Sequence, residues 1–208
     1  MKSIEEYIAE GAKEGAIRSG IILGIRMALL GLKELGIDDP SLERRSLITF
    51  VEIDRCLPDA LQLVTGCRLG NRTLKFRDLG KFAATFVHLK SGRAIRIAAK
   101  ERANQLAIER APGVSREEAL QVAYRRFSDA DLFFRQSVRP ALPPEDLPGA
   151  RTPRVICTGC GEGINFGREV TLNQKPICRS CAGESYFQMI QDESDPFRSP
   201  GCLNLDFS

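Results

Sequence analysis

The sequence predicts an α+β fold, in which an antiparallel sheet is flanked by helices and is followed by a small cysteine-rich module. Segments with the 3.6-residue apolar repeat of amphipathic helices surround short apolar runs that are typical of buried strands. The last quarter of the chain instead carries closely spaced cysteines after a proline-rich stretch. These observations separate a core that buries apolar side chains from a module that needs another source of stability.

The composition is that of an ordinary soluble globular protein. The chain has 208 residues, of which 43% are hydrophobic and 27% are charged. Its formal net charge of +3 gives no argument by itself for a nucleic-acid or membrane partner. Residues 1–15 are acidic and amphipathic rather than apolar, and the most apolar stretch, residues 21–32, is too short to span a bilayer. We therefore expect a cytoplasmic protein in a reducing compartment.

Four segments carry the signals of helices: residues 3–15, 20–35, 58–65 and 115–127. Gly36 and Gly66 are predicted stops, and Ser115 with Glu118 forms a capping box at the start of the last helix. The second helix contains glycines at near-helical spacing, Gly20, Gly24 and Gly31. A glycine costs about 1 kcal/mol in a helix interior, so we expect close packing against this helix.

Four strands are predicted at residues 47–53, 73–77, 82–89 and 93–97. The last two are joined by the short connection Lys90-Ser91-Gly92. Ile95 and Ile97 share one face of their strand while Arg96 lies on the other, which is the pattern of an antiparallel sheet with one side toward water. Residues 128–140 are interpreted as a short turn followed by an edge segment.

The prolines at 140, 143, 144 and 148 divide the chain. We expect a core over residues 1–139, a linker over 140–154, a finger over 155–191 and a polar tail over 192–208.

The finger is predicted to hold one structural zinc ion through Cys157, Cys160, Cys178 and Cys181. Two residues separate the cysteines of each pair and seventeen separate the pairs, which is the spacing of a four-cysteine zinc site. The odd total of seven cysteines argues against a disulfide framework.

Residues 164–172 are interpreted as a hairpin that turns at Gly167-Arg168, and residues 179–191 as a helix, which together would make a treble clef. Four thiolates leave no open coordination position, so metal catalysis is not expected there. Acidic residues slightly outnumber basic ones over 151–208, which favours protein contact or simple capping of the core over nucleic-acid binding.

A second candidate site lies in the core, where Cys56 marks the passage from a strand to a helix. The residues that could form a thiol or anion-binding site there are Asp54, Cys56, Asp59, Cys67 and Lys81. The alternative is that both cysteines are small buried hydrophobes, that Asp59 caps its helix and that Lys81 is solvated. The sole histidine, His88, is interpreted as a partly buried sheet residue, so a hydrolase triad has little support.

Residues 52–86, EIDRCLPDALQLVTGCRLGNRTLKFRDLGKFAATF, resemble the FmdE family, which is named after a component of formylmethanofuran dehydrogenase. The matching features are Asp54-x-Cys56-x-x-Asp59, Thr65-Gly66-Cys67, Gly70-Asn71 and Gly80-Lys81. The resemblance implies an α+β core, frequently dimeric, with a cleft lined by Cys, His and acidic residues. It also implies a molybdenum or tungsten enzyme as a possible partner, and several members carry a C-terminal treble-clef finger.

This chain departs from the family at one motif. Members commonly carry His-Gly-His-x-Cys-Pro-Gly at the start of the glycine-rich helix, whereas residues 14–20 here read Glu-Gly-Ala-Ile-Arg-Ser-Gly. Ala16 and Arg18 offer no usable donor to a metal. A metal site at this motif would therefore be lost, and Arg18 could instead hold an anion beside the helix N-terminus.

Three functions follow as hypotheses. The first is a zinc-binding accessory or interaction protein, with a protein partner or a second copy of itself and without catalysis of its own. The second is an enzyme or a carrier of a small ligand or metal, acting in the cleft around Cys56, Asp59, Cys67 and Lys81. The third is a regulator that touches nucleic acid through the finger and through Arg68, Arg72 and Arg77.

Overall fold

A computed structural model describes residues 1–187, apart from the side chain of Glu14. The chain forms two compact units, Met1–Leu142 and a second that begins at Pro143.

The first unit is built on a five-stranded sheet with the order β2-β1-β3-β4-β5. The strands are β1 Leu47–Val51, β2 Leu74–Phe76, β3 Ala83–His88, β4 Arg93–Ala99 and β5 Phe133–Ser137. Strands β1, β3, β4 and β5 pair in antiparallel fashion, and β2 lies parallel to β1 at one edge.

The predicted strands and the edge segment are confirmed, and the sheet is mixed rather than wholly antiparallel. The difference comes from helix α3, Leu57–Thr65, which lies between β1 and β2 in the chain. A helical crossover of this kind returns the chain to the end of the sheet from which β1 started, so β2 runs in the same direction as β1.

The remaining helices of this unit are α1 Ile4–Gly11, α2 Ser19–Leu35, α4 Glu101–Glu109, α5 Arg116–Arg126 and α6 Asp129–Leu132. Helices α1, α2 and α5 follow predicted segments, whereas α4 has no counterpart among the four predicted helices and α6 lies where the sequence predicts a short turn. Gly36 and Gly66 end α2 and α3 in the left-handed conformation, and Ser115 with Glu118 forms the predicted capping box. The first predicted helix is shorter than expected, because a 3₁₀ turn, Ala12–Glu14, follows α1.

The core lies between α2 and one face of the sheet. Ile22, Ile25 and Met27 of α2 are fully buried, and the sheet contributes Phe86 and Ile97 to the same cluster. On the opposite face of β4, the guanidinium of Arg96 donates two hydrogen bonds of 2.6 Å to the carboxylate of Glu52. A bidentate pair of this kind lets Glu52 be buried without leaving its charge unpaired.

The glycines of α2 allow the close packing that the sequence predicts. A Cβ atom on Gly24 would lie 2.6 Å from the Cβ of Ala60 in α3. A Cβ atom on Gly31 would lie 2.5 Å from the ring of Phe86 in β3. Any larger residue at either position would push α2 away from α3 or from the sheet.

The second unit contains two short hairpins, formed by β6 Val155–Ile156 with β7 Gly163–Ile164, and by β8 Val170–Leu172 with β9 Lys175–Ile177. The hairpin predicted over residues 164–172 is therefore wrong. Strand β8 pairs instead with β9, through a two-residue turn in which Asn173 and Gln174 both have positive φ. Such turns match the twist of antiparallel strands.

The helix predicted from residue 179 is not formed as far as the structure extends: residues 179–183 make turns, and no helix follows them up to Phe187. The rest of that predicted helix and the predicted tail lie outside the described residues. Over residues 1–187, no helix has the length and apolar character needed to cross a membrane.

Candidate functional site

The four predicted metal ligands converge in the second unit. The thiol sulfurs of Cys157, Cys160, Cys178 and Cys181 all lie within 4.8 Å of one another. The Sγ–Sγ distance is 3.8 Å between Cys157 and Cys181 and 3.8 Å between Cys160 and Cys178. A tetrahedral zinc ion with Zn–S bonds of about 2.3 Å separates its sulfurs by about 3.8 Å. The cluster therefore has the size and donor set of a four-thiolate zinc site.

Backbone groups around the two hairpins support this cluster. The first cysteine pair lies in the connection between β6 and β7, and the second follows β9 directly. The N–H of Cys178 donates to the sulfur of Cys157 at 3.1 Å, and the N–H of Cys181 donates to the sulfur of Cys178 at 3.4 Å. A Cβ atom on Gly159 would lie 3.0 Å from the sulfur of Cys181, so this turn needs a residue without a side chain.

Two of the four thiols, those of Cys157 and Cys160, have different pKa values. Burial raises the pKa of Cys157, but N–H donors from Cys178, Cys160 and Gly159 outweigh burial and bring that pKa down to about 6. Burial and the Cys157 thiol raise the pKa of Cys160 to about 11. Because a zinc ligand must be a thiolate, metal binding at this cluster releases protons and tightens as the pH rises.

The second candidate site is a cavity of about 800 Å³ in the first unit. Its polar lining consists of Glu10, Arg18, Cys56, Asp59, Gln62 and Arg68. Ile17, Ile21 and Leu63 supply apolar surface to the same cavity. The cavity thus combines both signs of charge, a thiol and an apolar wall.

Cys56 has the most strained backbone at this cavity. It is the N-cap of α3 with φ 57° and ψ −47°, and the N–H of Leu57 donates to the carbonyl of Arg55 at 2.5 Å. This is a γ-turn of the rare kind with positive φ at its centre. A conformation of this kind costs about 1–3 kcal/mol and persists only where the surrounding structure imposes it.

The N-terminus of α2 holds one side of the cavity in place. A Cβ atom on Gly20 would lie 3.1 Å from the Cβ of Cys56, so the two helix starts touch there. The Glu117 carboxylate of α5 accepts hydrogen bonds from Ser19, the first residue of α2. Gln121, one turn later in α5, donates through its side-chain amide to the carbonyl of Ile17 at 3.0 Å. Helix α5 therefore fixes the segment that carries Arg18.

The structure brings together three of the six residues predicted for the core cleft, Arg18, Cys56 and Asp59. Cys67 lies apart from the cavity, in the hydrophobic core. The Thr49 hydroxyl donates to its sulfur at 3.4 Å, and burial raises the pKa of its thiol. This placement matches the alternative interpretation, in which Cys67 is a small buried hydrophobe.

Asp54 and Lys81 are exposed and do not line the cavity. Asp54 follows the end of β1 and Lys81 precedes β3, and the N–H of Lys81 donates to the carbonyl of Glu52. His88 is a partly buried residue at the end of β3, as the sequence indicates, and its Nδ1 lies 2.9 Å from the Ser91 hydroxyl.

Sequence reasoning missed Glu10, Gln62 and Arg68 as residues of this cavity. Gln62 follows Asp59 by three positions in α3, so helical spacing alone could have placed both on one face. Glu10 and Arg68 come from segments far apart in the chain, and no local pattern connects them.

The comparisons with known proteins agree with this architecture. The family described as "FmdE, Molybdenum formylmethanofuran dehydrogenase operon" matches residues 15–132. A crystal structure of a tungsten formylmethanofuran dehydrogenase FmdE-like protein from Syntrophus aciditrophicus superposes with a TM-score of 0.58. That likeness covers 90% of this chain and 96% of the other at 24% identity, which shows a common fold.

A curated protein of Archaeoglobus fulgidus, described as a probable S-adenosyl-L-methionine-binding protein, is 37% identical over 90 residues. The match covers 41% of this chain but 25% of that protein, so this chain spans about a quarter of its length. The family match itself covers more than half of the chain, including α2, α3 and the sheet strands β1 to β4. The chain therefore belongs to the FmdE family.

Proposed function

We propose that this protein is a zinc-binding accessory or interaction protein of its family, without catalysis of its own. The observation that carries the proposal is the set of four sulfurs that all lie within 4.8 Å of one another, with two of the pairs at 3.8 Å. Cys157, Cys160, Cys178 and Cys181 would hold one zinc ion and occupy all its coordination positions. A zinc ion bound in this way stabilises a small fold and has no position open for a substrate.

The first unit supports the same proposal through the residues that replace a family motif. Residues 14–20 contain neither histidine nor cysteine, and Ala16 and Arg18 line the cavity where donor side chains would be needed. Of the six residues predicted for the core cleft, Cys56 and Asp59 are the metal donors that line the cavity. Two donors make a weak site for a transition metal. The proposal therefore assigns metal binding to the second unit.

The partner in this proposal is a protein. The family's description places it with a molybdenum formylmethanofuran dehydrogenase operon. A molybdenum or tungsten enzyme in the cytoplasm is therefore the proposed partner, with a homodimer as the alternative. The treble-clef form of the finger and the linker over residues 140–154 are part of the same proposal.

Metal analysis of the purified full-length protein tests the zinc assignment. We expect one zinc ion per chain in the wild type and none in Cys178→Ser, because three thiolates hold the ion much more weakly. Cys56→Ser is the matched control and should keep one zinc ion. A second metal equivalent that survives in Cys178→Ser and disappears in Cys56→Ser would overturn the assignment of the first unit as metal-free.

The accessory role needs a separate test. Native mass spectrometry of the protein mixed with a purified molybdenum or tungsten formylmethanofuran dehydrogenase should show a stoichiometric complex. A protein that stays monomeric at micromolar concentration, with and without that enzyme, would contradict both proposed partners.

The cavity favours a second candidate function, the carriage of a small molecule. Its volume of about 800 Å³ lies in the range of small-molecule binding sites. The Archaeoglobus fulgidus relative suggests S-adenosyl-L-methionine as one ligand to try. Isothermal titration with that compound should give saturable binding that Arg18→Gln weakens, and the absence of heat at millimolar ligand would exclude it as the ligand.

A further inference from the structure

The cavity of the first unit is lined by two arginines, Arg18 and Arg68. Among the described side chains, the guanidinium groups of Arg18 and Arg68 make neither a hydrogen bond nor an ion pair with another side chain. Arg18 influences the carboxyl of Glu117 only as a longer-range charge. Arginine presents a planar set of N–H donors that fits a carboxylate or a phosphate.

The acidic residues that line the cavity do not cancel these two charges. Glu10 is already paired, because its carboxylate accepts from the ammonium of Lys2 at 2.6 Å. Asp59 is then the one lining carboxylate without an ion pair among the described residues. Two guanidinium groups against one free carboxylate leave the lining with an excess of positive charge.

The start of helix α3 adds to this positive potential. Cys56, the N-cap of α3, lines the cavity, and its side chain makes no hydrogen bond to the helix. The start of α2 does not contribute in the same way, because the Glu117 carboxylate already accepts hydrogen bonds from Ser19 there. Aligned peptide dipoles favour an anion at the uncapped start of a helix.

The remaining wall is apolar. Ile17, Ile21 and Leu63 face the same cavity as the two arginines. A solvated inorganic ion would gain nothing from this surface, whereas a short hydrocarbon group would bury apolar area against it.

We propose that the cavity binds a small organic anion, in which a carboxylate or phosphate group is joined to a short apolar group. The anionic group lies against Arg18 and Arg68, and the apolar group lies over Ile17, Ile21 and Leu63. The inference rests on the second candidate function, the carriage of a small molecule, and narrows its ligand to an anion. S-adenosyl-L-methionine, with two positive groups and one carboxylate, is outside that class. Asp59 repels the anionic group and limits its affinity.

The test uses ¹⁵N-labelled full-length protein and three probes: hexanoate, its uncharged analogue hexanamide, and inorganic phosphate. We expect saturable shifts of the backbone amides of Gly20 and Asp59 with hexanoate, and at least about tenfold weaker binding of hexanamide. If hexanoate binds more tightly than phosphate, the site is assigned to carboxylic acids. If phosphate binds more tightly than hexanoate, the site is assigned to phosphate esters.

Substitutions of the charged residues test whether these residues act on the bound anion. Arg18→Gln and Arg68→Gln should each weaken hexanoate binding by about tenfold, and Asp59→Asn should tighten it. Arg102→Gln, in an exposed part of α4 away from the cavity, should change nothing. Each variant is first shown to keep the wild-type spread of amide resonances.

The proposal is overturned if hexanamide binds as tightly as hexanoate, if neither anion gives saturable shifts, or if Asp59→Asn weakens binding. None of these results bears on the zinc ion, which the metal analysis of Cys178→Ser tests independently.

Discussion

The carboxylate of Glu117 accepts hydrogen bonds from both the backbone N–H and the hydroxyl of Ser19, at 2.5 Å and 2.8 Å. These two residues are 98 positions apart, and their contact ties the first turn of α5 to the first turn of α2. The carboxylate thus satisfies an otherwise unpaired N–H at a helix start.

This contact makes the stability of the protein depend on pH. Burial raises the pKa of Glu117, but the bonds from Ser19 and Gln121 outweigh burial and lower that pKa below its ordinary 4.5. The stabilisation from a carboxyl with a lowered pKa is fully present above pH 4.5 and is lost as the pH falls through the folded-state pKa. Glu117→Gln should therefore cost about 1 kcal/mol at pH 7, a modest amount because Glu117 is exposed.

Chemical denaturation at several pH values measures this effect. The unfolding free energies of wild type and Glu117→Gln should converge in acid, while Glu109→Gln, at an exposed position, should match wild type throughout. A constant difference between wild type and Glu117→Gln from pH 7 to pH 3 would show that ionisation of Glu117 plays no part.

The close approach of α2 and α3 predicts the effect of adding one methyl group. In Gly24→Ala the new Cβ would lie 2.6 Å from the Cβ of Ala60. Alanine would gain about 1 kcal/mol of helix propensity, but overpacking typically costs about 1–3 kcal/mol. We expect a net loss of stability in thermal unfolding.

A double-mutant cycle with Ala60→Gly gives the control. Because Ala60→Gly removes the atom that clashes, Gly24→Ala should be less harmful in that background. Additive effects of the two substitutions, or a raised melting temperature in Gly24→Ala alone, would mean that the helices separate at little cost.

The backbone of Cys56 predicts an unusual order of stability between two variants. Positive φ is strained for every residue with a Cβ, so Cys56→Ala keeps the strain and Cys56→Gly relieves it. We expect Cys56→Gly to be more stable than Cys56→Ala by about 1 kcal/mol, since relief of strain exceeds the added chain entropy of glycine. Equal melting temperatures for the two variants would contradict the positive φ.

The hydrogen bonds of Arg26 predict that loss of its side chain weakens the junction of α2 with the end of α5. Its guanidinium donates to the carbonyls of Tyr124 and Phe127 at 2.8 Å and 2.9 Å, and to the carboxylate of Asp129 at 2.6 Å. The side chain is only 15% exposed. Arg26→Ala should therefore destabilise the protein by about 2–3 kcal/mol in urea unfolding.

Arg26→Lys should recover only part of that loss, because one ammonium group cannot reach all three acceptors. The matched control is Arg102→Ala at an exposed position. A loss in Arg26→Ala no larger than that in Arg102→Ala would show that these hydrogen bonds contribute little.

The sequence by itself determined most elements of the core. The apolar repeat of α2, the stops at Gly36 and Gly66 and the capping box at Ser115 are local signals, because they act within one turn of the chain. The zinc ligands were also readable, since each cysteine pair is a local turn and its spacing is set by the geometry of one ion.

Only the tertiary structure decided how these elements combine. The parallel position of β2 and the meeting of Arg18 with Arg68 in one cavity depend on contacts between distant segments, which no local period encodes. The same holds for Cys56 and Cys67, two cysteines at opposite ends of one helix: the first lines a cavity and the second lies in the core. Their surroundings come from different elements, because Cys56 lies against Gly20 of α2 and Cys67 lies against Thr49 of β1. These contacts are settled when apolar surfaces from the whole chain pack together.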